Sequence, residues 1–112
     1  MLLNAFSLNM LSNSTASIWV RPATVDEARA AAADSAVGHA DTAAVFSDVL
    51  GVDVACARRT VTLAAGQSAV VGQYRGPRLP EGATSLPAGA TIEWLLISVG
   101  SGRPCDCGYG IQ

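Results

Sequence analysis

The single histidine of the chain, His39, directly follows a glycine in the segment Ser35-Ala-Val-Gly38-His39, where a helix is predicted to begin. Imidazole exchanges protons near neutral pH without perturbation, so this residue is the first candidate for acid–base chemistry. A helix start also offers free backbone N–H groups and the positive end of the helix dipole, which suit a phosphate. A lone histidine at a helix start is more often an ordinary hydrogen-bonded residue, so its neighbours decide the interpretation.

Polar and charged side chains form three further clusters that the fold could bring to the histidine. The clusters follow the first predicted strand, end a predicted hairpin and occupy a long loop: Asn4, Ser7 and Asn9; Gln73; and Arg75, Arg78 and Glu81. Amides and hydroxyls hydrogen-bond to base edges and ribose, and arginines neutralise phosphate. Each cluster also has a structural interpretation, because such residues commonly cap turns or face solvent. On their own they indicate an α/β domain with a possible nucleotide-phosphate site.

Familiar catalytic motifs do not occur in the sequence. It contains no P-loop, no G-x-G-x-x-G and no histidine–carboxylate set with metal-ligand spacing. The carboxylates are few and scattered, which disfavours a two-metal nuclease. Asp41 is too close to His39 in sequence to orient it simply, as a serine triad would require. We therefore expect phosphodiester cleavage without a metal or cofactor, because that is the chemistry that fits this set of residues best.

The composition indicates one folded domain and leaves room for a small anionic ligand. Of 112 residues, 50% are hydrophobic and 14% are charged, which is typical of a chain with a single core. All seven basic residues are arginines and the net charge is −2, which disfavours binding to duplex nucleic acid. A few well-placed arginines still suit a phosphate, which they contact with two hydrogen bonds at once.

The sequence shows neither a membrane span nor a secretory signal. No apolar run reaches the roughly 18 residues needed to span a bilayer, and the first residues lack the basic stretch of a secretory signal. We therefore expect a cytoplasmic protein (in the host cell cytoplasm if it is viral) without a membrane partner. Cys56, Cys105 and Cys107 lack the spacing of a four-ligand zinc site, so reduced thiols are expected. A metal-binding or disulfide-forming tail is the alternative.

Hydrophobic periodicity and turn residues predict the elements that position the candidate residues. These are strands over 2–6 and 16–21, helices over 24–33 and 39–50, a hairpin over 59–63 and 69–74, and a strand over 92–99. Thr24 and Glu27 have the spacing of a capping box for the first helix. Gly38 separates the two helices, and Gly51 ends the second.

We predict a single α/β domain over residues 1–99, with one mixed sheet of about five strands and flanking helices. The strand over 92–99 is nearly continuously apolar, which favours a position inside the sheet. Residues 75–90 are too many for a simple turn, so they are interpreted as a functional loop or lid. Residues 100–112 form a tail that contains glycine and cysteine.

Three segments carry a family resemblance: Asn4-Ala-Phe-Ser-Leu-Asn-Met-Leu11, Ser35-Ala-Val-Gly-His39 with Thr42, and Gln73 with Arg78-Leu-Pro-Glu-Gly82. Together, in this order, they resemble the viral ring nuclease family, the type III anti-CRISPR proteins of archaeal viruses, which have relatives in bacteria and phages. The similarity covers roughly residues 3–99. One departure is the interval from Gln73 to Arg78, which is one residue longer than in the archaeal viral members.

The resemblance implies a homodimer that binds cyclic tetra-adenylate, the second messenger of type III CRISPR complexes, in a pocket across the dimer interface. On this basis His39 and Asn4 are expected near the twofold axis, with His39 as the general acid. Glu81 is assigned to catalysis beside it, where it orients a hydroxyl or pins the loop. The residues assigned to ligand binding are Asn4, Ser7, Asn9, Gly38, Arg58, Gln73 and Arg78, and we add Arg75 from the loop cluster.

The implied reaction is attack of a ribose 2′-hydroxyl on its own adjacent phosphorus, which leaves linear di-adenylates with 2′,3′-cyclic phosphate ends. It would switch off type III CRISPR signalling, either as a viral anti-CRISPR or as a host regulator. Two alternatives stay open. One is a dimer that sequesters or senses a cyclic nucleotide without cutting it, and the other is a small dimeric interaction protein whose polar cluster is structural.

Overall fold

A mixed four-stranded sheet organises residues 1–12 and 16–100, the part of the chain that the computed structural model describes. The strand order is β1-β3-β4-β2, with β1 parallel to β3 and the other neighbours antiparallel. Two α-helices and one short 3₁₀ turn complete the structure. In chain order the elements are β1 (Leu2–Leu3), the 3₁₀ turn (Leu8–Met10), β2 (Ile18–Pro22), α1 (Val25–Ala31), α2 (Ala40–Leu50), β3 (Ser68–Arg75) and β4 (Thr91–Val99).

The inner position predicted for residues 92–99 is confirmed. Strand β4 pairs with β2 on one side and with β3 on the other, so that Ile97 lies opposite both Val20 and Ala69. A strand bonded on both sides has no free edge, and the two faces of β4 contribute to two different cores. This double burial explains its nearly unbroken run of apolar residues.

The predicted hairpin over 59–63 and 69–74 is wrong, and with it the count of about five strands. Among the described residues the sheet has four strands, because both edges of β3 are already occupied by β1 and β4. Val61 and Leu63 are buried as their alternation suggested. Leu63, however, exchanges backbone hydrogen bonds with Met10 and Ser12, at 2.6 and 3.1 Å, rather than with the sheet. This segment covers the sheet as an extended loop.

The first strand is also shorter than predicted, ending at Leu3 rather than at residue 6. The two predicted helices are present in nearly their expected places. Gly51 ends α2 in the left-handed conformation, with φ 71°, which glycine adopts without steric cost.

The capping box of α1 forms as its spacing predicted. The Glu27 backbone N–H donates to the Thr24 hydroxyl at 3.1 Å, and the Thr24 N–H donates to Glu27 Oε1 at 2.9 Å. Arg21 donates to both carboxylate oxygens of Glu27, at 3.1 and 2.7 Å. The hydrogen bonds from Arg21 and from the Thr24 backbone lower the pKa of Glu27 to about 2.

Both helices pack on one face of the sheet, and the core between them and the sheet contains an aromatic pair. The rings of Phe46 from α2 and Trp94 from β4 meet edge to face, with centroids 5.0 Å apart. Both rings lie over Gly72 of β3, where an added Cβ would come within 2.5 Å of the Trp94 ring and 2.6 Å of the Phe46 ring. Glycine is therefore the residue that lets the helix layer approach the sheet this closely.

Loops rather than helices cover the other face of the sheet. Its core joins Leu3, Val71 and Ile97 of the sheet to Val61 and Leu63 of the extended segment. Partly buried residues from the first turns of the chain, Phe6, Met10 and Leu11, pack against it. The segment that contains Ser7 and Asn9 is thus held on the helix-free face.

The predictions about the cysteines and about membrane spans can be compared only with the described residues. Cys56 is an exposed free thiol, whereas Cys105 and Cys107 lie, with the whole predicted tail beyond Gly100, outside the described residues. None of the described helices combines the length and the apolar character needed to cross a bilayer.

Replacing Gly72 with Ala should destabilise the fold, because the new methyl group has no space between two aromatic rings. Overpacking of this kind typically costs about 1–3 kcal/mol. Urea unfolding followed by tryptophan fluorescence measures the change. The control is Ser68→Ala, at an exposed position of the same strand, which should unfold at nearly the wild-type midpoint. Equal midpoints for Gly72→Ala and wild type would contradict this packing.

The ionised Glu27 should stabilise the protein only above a defined pH. Its pKa falls from an ordinary value of 4.5 to about 2 in the folded state, so its contribution is complete above pH 4.5 and disappears as the pH falls towards 2. Glu27→Gln keeps a capping side chain but removes the charge. The variant should therefore melt below wild type at pH 7 and approach it between pH 4.5 and 2. A melting difference that persists unchanged down to pH 2 would show that the charge is not responsible.

Candidate functional site

His39 is the N-cap residue of α2, with an extended backbone at φ −122° and ψ 131°. Its carbonyl accepts the first helical hydrogen bond, from the Ala43 N–H at 2.9 Å. The imidazole makes no capping hydrogen bond and is exposed. The side chain is thus free to meet a ligand at the positive end of the helix dipole.

The histidine faces an open cleft of about 640 Å³, which we call the His39 cleft. Its walls come from the first turn of α2, the end of β3 and the long loop over 76–90: besides His39 they include Asp41, Thr42, Tyr74, Arg78 and Leu79. The predicted general acid and the predicted phosphate-binding arginine of the loop therefore share one cleft. A neighbouring hollow of about 510 Å³ adds Glu81 beside Arg78 and Asp41.

A smaller hollow of about 210 Å³, the Asn4 hollow, is also lined by the histidine. It contains Asn4, Gly38, His39 and Arg58. The Gly38 N–H donates to Asn4 Oδ1 at 3.5 Å. An added Cβ on Gly38 would lie 3.9 Å from Arg58 Cα, so the arginine backbone passes directly behind the glycine. Four residues from three distant parts of the sequence meet here.

A third hollow of about 360 Å³, the Gln73 hollow, lies on the helix-free face of the sheet. Its floor is apolar, formed by side chains that include Val71, Leu95 and Phe6, and two amide side chains, Asn4 and Gln73, border it. Asn4 also lines the Asn4 hollow, and Tyr74 of the Gln73 hollow also lines the His39 cleft. The three depressions therefore adjoin one another.

Ion pairing separates the arginines of this region into two groups. Six of the seven arginines lie in the described part of the chain, and four of them pair with carboxylates: Arg21, Arg29, Arg59 and Arg75. The side chains of Arg58 and Arg78 make no hydrogen bond or ion pair within residues 1–12 and 16–100. Both unpaired guanidinium groups thus border the depressions that meet at His39.

Three of the predicted ligand-binding residues do not line these depressions. Arg75 donates to Glu93 Oε1 at 2.9 Å and to Gln73 Oε1 at 3.4 Å, which holds its guanidinium group over the paired ends of β3 and β4. The Ser7 hydroxyl accepts the Asn9 backbone N–H at 3.3 Å and caps the 3₁₀ turn. The Asn9 side chain is exposed on that turn.

Asp41 and Tyr74 line the cleft but were not among the predicted site residues, and both make hydrogen bonds to the loop. Asp41 lies in the first turn of α2, two residues after His39, and its Oδ1 accepts the Gly82 backbone N–H at 3.2 Å. It therefore contacts the loop rather than the imidazole. Tyr74 is half-buried at the end of β3, and its hydroxyl donates to the Pro77 carbonyl oxygen. In the sequence, its place directly before a long loop was the signal that could have identified Tyr74 as a site residue.

No three side chains among His, Cys, Asp and Glu lie close enough together to hold a metal ion, as far as the described residues extend. The site therefore consists of one imidazole, two unpaired guanidinium groups, two amides and the carboxylates of Asp41 and Glu81. Cationic and amide donors of this kind bind phosphate and nucleotide groups.

Comparison with known proteins agrees with the resemblance seen in the sequence. The model of the STIV B116-like family matches residues 1–89, which include His39, Arg58 and Arg78. None of the curated proteins compared with the chain matches it. Because the matched residues make up most of the chain, it belongs to the STIV B116-like family, the family of the viral ring nuclease from archaeal viruses.

Proposed function

We propose that the protein is a metal-independent ring nuclease. It binds cyclic tetra-adenylate across a homodimer interface and cleaves it to linear di-adenylate with 2′,3′-cyclic phosphate ends. This reaction would remove the second messenger in the host cell cytoplasm and so switch off type III CRISPR signalling. The observation that carries the proposal is that the sole histidine lines one depression with Arg78 and another with Arg58, two arginines without partners in the described chain.

The charges support an anionic ligand. A guanidinium group without a carboxylate partner keeps its five donors available, and it contacts phosphate through two parallel hydrogen bonds. Arg59, next to Arg58 in sequence, is paired with Asp34 at 2.6 Å. The fold thus neutralises one of two adjacent arginines and leaves the other beside the histidine.

The reaction follows from these groups without a bound cofactor. The 2′-hydroxyl oxygen of a ribose attacks the adjacent phosphorus and loses its proton to solvent, while the bond from phosphorus to the 5′-oxygen breaks. Protonated His39 donates its proton to the departing 5′-oxygen, giving a 5′-hydroxyl and a 2′,3′-cyclic phosphate. Arg78 stabilises the charge that develops on the phosphate oxygens. The nucleophile belongs to the substrate, so the protein contributes positioning, charge and one proton.

A homodimer suits both the ligand and the open shape of the cleft. The His39 cleft is a shallow depression of one chain, and a ring of four nucleotides placed on a twofold axis would present equivalent halves to two chains. Two histidines would then act on opposite phosphates, which yields two di-adenylates from one ring. We therefore place His39 and Asn4 near the twofold axis.

The Gln73 hollow suits a base of the same ligand. It combines an apolar floor with the amides of Asn4 and Gln73, and asparagine and glutamine amides pair with the edge of adenine through two hydrogen bonds. Because this hollow adjoins the His39 cleft, a base and its phosphate could be bound by neighbouring parts of one surface.

One observation favours a second candidate function, a dimer that binds the cyclic nucleotide without cutting it. The imidazole of His39 has no hydrogen-bond partner among the described residues that would fix its orientation. A binding protein needs no oriented acid, and the same arginines would retain the ligand. Product formation separates the two candidates, since binding is common to both.

Replacing His39 with Ala should abolish most cleavage but leave binding largely intact, because the imidazole acts on the leaving group. General-acid catalysis typically contributes about 10²–10⁴-fold, and the loss should fall in that range. The measurement is single-turnover cleavage of cyclic tetra-adenylate with EDTA present, with products separated by chromatography. Wild-type protein that is inactive in EDTA, or His39→Ala that cuts at the wild-type rate, would contradict the mechanism.

Arg78→Ala should weaken binding as well as cleavage, since it removes a charge-assisted phosphate contact. A hydrogen bond to a charged group contributes about 1.5–3 kcal/mol, so affinity should fall about 10- to 100-fold. Arg75→Ala is the matched control, because its guanidinium group is already paired with Glu93. Titration of the labelled ring into each variant measures both affinities. If Arg75→Ala loses as much affinity as Arg78→Ala, ion pairing does not decide which arginine binds the ligand.

A further inference from the structure

Two hydrogen bonds enclose the four-residue segment Arg78–Glu81, one on each side. Before it, the Tyr74 hydroxyl donates to the carbonyl oxygen of Pro77. After it, the Gly82 backbone N–H donates to Asp41 Oδ1 at 3.2 Å. The enclosed segment contains both loop residues that are assigned to the site.

The two anchors belong to regular elements, whereas the enclosed segment is mostly exposed. Tyr74 is half-buried in β3, where it lies opposite Ile92 of β4. Asp41 is half-buried in the first turn of α2. Arg78 and Glu81 are exposed. The exposed segment thus lies between hydrogen bonds to two half-buried residues of regular elements.

Close packing restricts the start of the same loop. An added Cβ on Gly76 would lie 2.6 Å from Ala90 Cβ and 3.1 Å from the Tyr74 hydroxyl oxygen. Ala90 is buried at the far end of the loop. The chain therefore leaves β3 along a path that presents the Pro77 carbonyl to Tyr74.

We infer that Asp41 and Tyr74 are positioning residues, which hold Arg78 and Glu81 against the N-terminus of α2 so that they face the same phosphate as His39. The inference rests on the proposed function and assigns these two residues a part in it. Both act through the loop backbone, by accepting the Gly82 N–H and by donating to Pro77.

Asp41 acts here as a hydrogen-bond acceptor, and substitutions can separate this role from the effect of its negative charge. A carboxylate within an anion-binding cleft opposes the ligand electrostatically, so a purely electrostatic role would make its removal favourable to binding. Asp41→Asn keeps the Oδ1 acceptor and removes the charge. Asp41→Ala removes both. Asp48 provides the matched control, since it is an exposed aspartate on the same helix, without a hydrogen bond among the described residues.

The position of the loop can be tested without any ligand. Trypsin cleaves after arginine, and the bond between Arg78 and Leu79 lies inside the enclosed segment. A lost hydrogen bond of ordinary strength raises the opened population about 5-fold. Cleavage at this bond, followed by mass spectrometry, should therefore be about 5-fold faster in Asp41→Ala and Tyr74→Phe than in wild type. Asp41→Asn and Asp48→Ala should match wild type.

The same variants test positioning in the reaction. For cleavage of cyclic tetra-adenylate we expect kcat/KM of Asp41→Ala and Tyr74→Phe to fall about 5- to 10-fold, with rescue in Asp41→Asn. Unchanged kcat/KM in Asp41→Ala, or a loss in Asp41→Asn as large as in Asp41→Ala, would overturn the inference. If the wild-type protein cleaves no ring at all, the proposed function fails, and equal trypsin rates in all variants would then overturn the anchoring separately.

Discussion

The short strand β1 is the constraint on which the site depends. Its two leucines are buried. The backbone here forms hydrogen bonds on both sides: the Val70 N–H donates to the Met1 carbonyl at 3.0 Å, and the Ala36 N–H donates to the Leu2 carbonyl at 2.8 Å. Residues 2 and 3 therefore lie between β3 and the segment that leads to α2. Asn4 follows on one side and Gly38 on the other, which brings the beginning of the chain to the N-cap of α2.

The loop over 76–90 completes the arrangement from the opposite side. It connects two strands that pair along their whole length, so its ends are fixed by the sheet. Within the loop, Tyr74 of β3 bonds Pro77 near its start, and Asp41 of α2 bonds Gly82 near its middle. In this way a rigid sheet and one helix start position an exposed arginine, which is the kind of scaffold that loops with binding functions commonly have.

Local signals in the sequence were sufficient to predict the helices but not to predict which strands pair. The capping box at Thr24 and the glycine at 51 act within one turn, so they can be recognised from neighbouring residues. The alternation over Val61 and Leu63 correctly indicated burial, yet it does not specify a partner. Because β1 and β4 occupy both edges of β3, the adjacent segment was excluded from the sheet by contacts that are distant in sequence.

The same limit applies to the candidate site. Asn4, Gly38 and His39 were predicted to act together, and the structure places them in one hollow. Arg75 and Arg78 could not be distinguished from sequence, since the pairing of Arg75 with Glu93 depends on the register of β3 against β4. Asp41 was considered only as a partner for the imidazole, because its contact with Gly82 crosses from the helix to a loop 41 residues away.

A nuclear magnetic resonance titration tests the central claim most directly. The chain has one histidine, so its imidazole gives a single assignable signal. The ligand is cyclic tetra-adenylate methylated on its 2′-oxygens, which lacks the nucleophile and cannot be cut. We expect the His39 signal to shift and to saturate at one ring for every two chains. A signal that stays unchanged at saturating ligand, or that saturates at one ring for each chain, would contradict the account.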